Sequence, residues 1–369
     1  MVVEELVLIT GGAGFIGSAL GAALRARGHA VRVLDNFSEQ IHADAARQDD
    51  ETIAGSVLDA QTLERALAGV DVVVHFAAET GTGQSMYEVA RYADVNVGGT
   101  ARLLEAIARQ STRPRKIVVA SSRAVYGEGK YLDQEGRAVF PPTRAVADLE
   151  LGRFDPLDHG RPLQAVATDE GSALHPVSVY GVTKLAQEQL VLAVGQSIGV
   201  SATALRYQNV YGPGQSLRNP YTGILSIFST LIRQGRPINI FEDGLESRDF
   251  VYIDDVVDAT IRALPSDAAN GLAVNVGSGI ATTVLDVVRG LERALGATAQ
   301  LTVTGDFRLG DIRHNFADLT RARELLGFTA GTSLDDGLQR FTRWALEQEQ
   351  PDSDYEGSLA ELRLRGLLK

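Results

Sequence analysis

Short runs of β-branched and aliphatic residues alternate with stretches in which apolar residues recur at helical spacing. Residues 6–10, 30–35, 70–76 and 116–121 read as buried parallel strands. Between them, residues 15–27, 62–67 and 89–109 carry the spacing of one-sided helices. Such alternation predicts a parallel sheet with both faces covered. The pattern breaks at residues 127–176, rich in proline, glycine, aspartate and arginine, which read as a surface insertion with a short helix of its own. A helix over 179–197 and a strand over 202–207 follow. Helices over 220–234, 256–264 and 284–295 come next without strict alternation, as in a smaller unit laid over the sheet's edge. Residues 357–369 have leucine spacing suited to an amphipathic helix packed on the body.

With 369 residues, the chain exceeds the size at which one hydrophobic core stops growing. Its 44% apolar and 22% charged residues, with mean hydropathy near zero, exclude disordered, collagenous and membrane classes. A net charge of −12 repels phosphodiester backbones, so no nucleic-acid partner is expected. There is no cysteine, which removes disulfides, thiolate metal sites and cysteine nucleophiles. The first residues show no basic segment and lead straight into an apolar strand. A cytoplasmic protein without membrane attachment is the expectation.

Thr10-Gly11-Gly12-Ala13-Gly14-Phe15-Ile16-Gly17 stands between the first strand and the first helix. Glycines there permit a tight turn, let backbone amides approach a pyrophosphate and seat the helix on the sheet. The helix N-terminus adds the positive end of its dipole. Asp35 ends the next strand, placed to accept from adenosine ribose hydroxyls and to repel a 2′-phosphate. No arginine stands at Asn36, Phe37 or Ser38, so NAD is expected over NADP. Asp59 follows the third strand, where it could meet an adenine amine or cap the next helix. Phe76, Ala77 and Ala78 close the fourth strand at the carboxyl edge, and the small alanines would let a cofactor approach. His75 reads as a satisfied packing residue.

Tyr180 and Lys184, four residues apart, share one helical face. A nearby ammonium and a positive nicotinamide would both lower the phenol's pKa, making Tyr180 a proton acceptor while hydride leaves the same carbon. Ser122, at the end of the fifth strand, supplies a hydroxyl to polarise the reacting oxygen.

Together with Asn96-Val97-Gly98-Gly99-Thr100 and residues 206–214 (RYQNVYGPG), these motifs resemble the extended short-chain dehydrogenase/reductase family of nucleotide-sugar epimerases and dehydratases. The likeness runs from Val3 to about Trp344. It implies a Rossmann-type, doubly wound parallel sheet with a smaller α/β C-terminal substrate domain. Residues 1–207, with the insertion 127–176, would hold NAD. Residues 208–369 would mainly hold substrate, with returns to the first unit. By the same resemblance the NAD contacts are Gly11, Gly14, Phe15, Ile16, Gly17, Asp35, Asn36, Leu58, Asp59, Phe76, Ala77, Ala78, Asn96, Ser121, Tyr180, Lys184 and Tyr207. The catalytic set is Ser122, Tyr180 and Lys184. Substrate contacts are Gln84, Ser85, Ser122, Asn209, Thr222, Arg248, Arg308 and Asp311, with the arginines on a diphosphate. Asp254 and Asp255 are expected to cap the helix after them.

Absent residues narrow the activity. The family's 4,6-dehydratases carry an acid pair directly after the hydroxyl residue, and its decarboxylases resemble them in the second. Here Arg123 and Ala124 stand there. The members that invert C3 and C5 use a cysteine and a histidine, and this chain has no cysteine. What remains is hydride chemistry at C4, a 4-epimerase. Residues 78–88, 219–225 and 310–314, with the long insertion, resemble the branch acting on dTDP-L-rhamnose, a dTDP-6-deoxyhexose. Some relatives carry cysteine pairs in that insertion; lacking them, this chain is expected to hold no metal. Rival readings are a UDP- or GDP-sugar 4-epimerase, a 5,6-dehydratase, a 4-ketoreductase and a non-catalytic nucleotide sensor. The resemblance also implies a homodimer that pairs the 89–109 and 179–197 helices.

Overall fold

The computed structural model describes residues 5–38, 51–217, 223–349 and 355–369. Seven parallel strands form the central sheet: β1 (Leu6–Thr10), β2 (Ala30–Asp35), β3 (Thr52–Ala54), β4 (Val72–His75), β5 (Lys116–Ser122), β6 (Ser201–Tyr207) and β7 (Leu272–Val276). They lie in the order β7-β6-β5-β4-β1-β2-β3. The order reverses between β1 and β4, and in such sheets a crevice opens there beyond the strands' carboxyl ends. Alternation along each strand serves both faces. Val7, Ile9, Val72, Val74 and Val118 face α1 (Phe15–Arg25) and α6 (Ile253–Ala263). Leu8, Val73, Ile117 and Val119 face α2 (Ala60–Leu67), α3 (Gly99–Arg109) and α4 (Val179–Ser197). The α/β, doubly wound architecture is as expected.

The helix expected over 89–109 is interrupted. An α-turn, Val89–Tyr92, runs into a π-helical segment, Ala93–Gly98, before α3 begins. Such wide turns displace side chains from the helical register, and here Asn96 is buried against the loop after β4.

The insertion is not confined to the surface. It carries a small antiparallel sheet and the helix Val146–Glu150. Buried Glu128 and Arg144 tie it to the second half of the chain. Arg144 Nη2 lies 2.8 Å from Glu242 and its Nε 3.1 Å from Glu128. Asp155 meets Arg313, which also pairs with Asp243 at 2.7 Å.

Beyond β6 come α5 (Ile224–Arg233), α7 (Val284–Leu295) and short strand pairs, among them Ser247–Arg248 beside His314–Asn315. The C-terminal helix α8 (Tyr355–Leu364) buries Leu359 and Leu362. Asp254 and Asp255 lie in the first turn of α6 and do not cap it. Instead, Asp255 accepts from the amides of Gly331 and Thr332, at 2.8 and 3.1 Å, fastening a distant loop.

Candidate active site

A cleft of about 650 Å³ lies over the sheet's carboxyl edge, between the glycine loop and the second half of the chain. Gly11 has φ +69°, and a β-carbon there would stand 2.7 Å from the Ala77 nitrogen. At Gly17 a β-carbon would overlap the Gly11 carbonyl. The turn is therefore as tight as an all-backbone cradle requires. Helix α1 starts at Gly14 with no side-chain cap and no acid in its first turn, so its amides face the cleft uncompensated. Asp35 accepts from Ala13 N at 3.0 Å and Phe37 N at 2.9 Å. Its carboxylate is thus aligned beside the loop where a ribose would lie. A dinucleotide fits this wall: Gly11, Gly14, Phe15, Ile16, Gly17, Asp35, Asn36, Phe76, Ala77, Ala78, Ser121 and Tyr207 all line it.

Ser122, Tyr180 and Lys184 line the same cleft. The β5–β6 register sets Ser122 beside Tyr207. Ser178 caps α4 through the Gly181 amide at 3.1 Å, and Tyr180 N donates to Ser85 Oγ at 3.0 Å. These contacts fix the first turn and the phenol it carries. The electrostatics differ from those expected of a Tyr–Lys pair. Lys184 Nζ donates to Gln187 Oε1 at 2.6 Å, and burial brings its pKa down to about 7. Burial raises Tyr180, while the Ser122 hydroxyl and the Arg123 charge pull it down. The expected lowering of Tyr180 by Lys184 is thus not found in the protein alone: desolvation outweighs the pull of Ser122 and Arg123, and Lys184 adds none.

A second wall gathers cations. Arg248 reaches the Asp311 carboxylate at 2.7 Å and the Ile312 and Arg313 carbonyls at 2.7 and 3.0 Å. Burial opposes ionisation of Asp311, but Arg248, Arg308 and Arg123 outweigh it and hold the carboxyl at about 2. Arg308 stacks over Phe241, 4.6 Å from the ring centroid. Asn209 lines the cleft too, its amide oxygen held 2.8 Å from Arg123 Nε.

Five expected contacts stand off the cleft wall. Asp59 caps α2 through the Gln61 amide and bonds Thr62, so its carboxylate is committed to that helix; Leu58 precedes it, behind the wall formed by Gly55–Val57. Asn96 accepts from Glu79 N at 2.7 Å and donates to Glu79 O and Thr183, bracing the loop after β4 from behind. Gln84 bonds Glu88, and Ser85 serves the Tyr180 amide. Both are buried supports. Thr222 lies outside the described residues. His75 is sandwiched between Thr10 and Thr100 at 2.7 and 2.9 Å, and burial lowers it to about 3, a packing residue as expected.

Other residues escaped the sequence reading. Glu188 accepts from Ser121 at 2.6 Å and pairs with Arg206 at 2.5 Å, anchoring α4 to β5 and β6. Its place two helical turns beyond Tyr180 was the available signal. Arg123, Glu246, Phe241 and Tyr355 also line the cleft. Burial pushes Glu246 up to about 7. No periodicity could have announced the last two, which arrive from a loop and from the C-terminal helix.

A glycine cradle, a Ser–Tyr–Lys set and a cationic far wall define a dinucleotide-dependent hydride-transfer enzyme with an anionic substrate. Residues 7–147 and 154–277 match the NAD dependent epimerase/dehydratase family, and the chain belongs to it. It is 41% identical over 350 residues to a dTDP-L-rhamnose 4-epimerase of Burkholderia thailandensis, covering 93% of this chain and 95% of the relative. Its fold is similar to the UDP-glucose 4-epimerase of Thermotoga maritima with UDP-glucose, at 29% identity and TM-score 0.77 over 93% and 99% of the two chains. A UDP-glucuronic acid 4-epimerase from Bacillus cereus, in complex with UDP-glucuronic acid and NAD, matches at 27% identity and TM-score 0.74, over 93% and 99%.

Proposed function

We propose that this chain is an NAD-dependent nucleotide-sugar 4-epimerase acting on a dTDP-6-deoxyhexose such as dTDP-L-rhamnose. The observation that carries the reading is the acid–base set itself. Ser122, Tyr180 and Lys184 meet over one cleft, and the two positions after Ser122 bear Arg123 and Ala124, neither of which can expel water or take a C5 proton. NAD, when bound along the glycine cradle, supplies reversible hydride acceptance at the sugar's C4. Tyr180 takes the C4 hydroxyl proton and later returns it, with Ser122 bonded to the same oxygen. Lys184, one turn beyond Tyr180, would hold the cofactor's ribose through its ammonium. Arg248 and Arg308 hold the diphosphate, and Asp311 accepts from the nucleoside ribose. Turning the keto sugar over between the two hydride steps inverts C4.

In this reading residues 1–207 form the NAD-holding unit, to which α6 and β7 return, and 208–369 mainly form the substrate unit. The enzyme acts in the cytoplasm, where a cysteine-free chain is well suited to a reducing medium. Among the described residues, no helix is long and apolar enough to cross a membrane. Two copies pair through the 89–109 and 179–197 helices, which lie side by side and leave Val89 and Val182 exposed. A monomer mass by light scattering at micromolar concentration would exclude that pairing.

The deciding experiment incubates the purified protein, without added cofactor, with dTDP-, UDP- and GDP-sugars and follows C1 and C4 protons by NMR. An equilibrium of two C4 epimers with no net NADH change is expected, with the dTDP-6-deoxyhexose as the preferred substrate. An alkene product, or turnover only with NADH, would replace this reading by a dehydratase or a ketoreductase.

A further inference from the structure

Arg123, which stands where a dehydratase acid would, lines the cleft together with Tyr180 and Arg248. The turn it opens, Arg123–Tyr126, is pressed against the start of α4. A β-carbon at Gly181, the residue after Tyr180, would lie 2.6 Å from the Ala124 carbonyl oxygen. The guanidinium is aimed by one bond, Nε to Asn209 Oδ1 at 2.8 Å. Other arginines of the second half and its neighbours are neutralised: Arg144 and Arg313 by Glu242, Arg206 by Glu188 and Arg248 by Asp311. Among the described residues Arg123 has no carboxylate within ion-pair distance, and its two Nη groups have no protein acceptor. Lys184 meanwhile donates to Gln187 and feels the Glu188 charge, and it makes no hydrogen bond to the phenol.

A cation that faces the cleft without a carboxylate partner stabilises negative charge that develops across it. We propose that Arg123 is a positioning residue for the proton transfer, its guanidinium, fixed by Asn209, adding positive charge that steadies the Tyr180 phenolate. This inference rests on the role given to Tyr180 above. Other groups facing the phenol are Ser122 and Tyr92. Those facing Arg123 are Arg248, Asp311 and Glu128. Burial and Arg248 lower Arg123 only to about 10, so it is cationic throughout the neutral range.

The test uses the full-length, NAD-loaded protein. Ultraviolet difference titration against a Tyr180→Phe counterpart isolates the phenolate of residue 180 in wild type, Arg123→Gln and Arg123→Lys, with no turnover needed. With the active sugar nucleotide, kcat and KM are then measured across pH. In Arg123→Gln, the phenolate titration and the acid limb of kcat both move upward by about one unit, a roughly tenfold loss at neutral pH regained at higher pH. Arg123→Lys keeps both near wild type, and KM changes less than about threefold. A phenolate titration that stays in place in Arg123→Gln overturns the proposal. So does a raised KM with an unmoved limb, which would make Arg123 a diphosphate contact. If no sugar nucleotide is epimerised at all, the function reading fails, while the titration still decides the role of Arg123.

Discussion

Lys184 donates to Gln187 Oε1 at 2.6 Å, one turn along its own helix, and makes no hydrogen bond to Tyr180. A lysine that burial has brought down to about 7 is poised to gain or lose its proton near neutrality. The folded pKa lies below that of the unfolded chain, so between the two values the unfolded state binds the extra proton. Stability of the NAD-free protein should therefore rise with pH above about 7. A Lys184→Met variant should lose the part of that rise that sets in near pH 7, as read by thermal melts at neutral and alkaline pH, while Lys116, brought by burial to about 8, retains the rest.

Removing the phenol's hydroxyl takes away the proton acceptor and little else. Tyr180→Phe should lower kcat by about 10²–10⁴-fold while nucleotide-sugar affinity changes only a few-fold. Stopped-flow turnover and calorimetric titration would separate the two. A variant that kept its rate would remove Tyr180 from the chemistry.

The glycine cradle predicts a graded series. A β-carbon at Gly17 overlaps the Gly11 carbonyl, whereas at Gly14 it stands 3.3 Å from that oxygen. Gly17→Ala should purify without dinucleotide and melt lower, and Gly14→Ala should keep more of both. Equal behaviour of the two would mean that loop packing does not set cofactor affinity.

Asp35 fastens the loop through the Ala13 and Phe37 amides while lining the cleft. Asp35→Ser should cost about tenfold or more in NAD affinity and narrow the preference over NADP, since the carboxylate both accepts and repels. Equilibrium binding of the two dinucleotides checks this.

Glu188 is the buried partner of Arg206 and of the Ser121 hydroxyl. Glu188→Gln leaves a buried guanidinium uncompensated and should destabilise the fold by about 3–5 kcal/mol. Chemical denaturation measures it directly.

Residues near one another in the chain were legible from sequence. β1 and β2 were expected at the residues they occupy, because a buried parallel strand is an unbroken apolar run between turn residues. The glycine loop and the Tyr180/Lys184 spacing were legible for the same reason, as contacts made within one turn. What sequence could not fix is what each side chain does once distant segments close on it. Asn96 was expected on a cofactor, but a π-helical segment turns it into the wall behind Glu79. Ser85 was expected on a sugar, but it holds the Tyr180 amide, 95 residues away. Lys184 was paired with Tyr180 by spacing and is claimed by Gln187 instead. Arg123 looked like the absence of an acid until tertiary packing put it on the same cleft as Tyr180, with no carboxylate in ion-pair distance among the described residues. Local pattern is governed by backbone geometry and the short-range cost of exposing apolar groups, both written in consecutive residues. Charge and hydrogen bonding at the site depend on desolvation and on partners from far along the chain, and only the folded arrangement decides those.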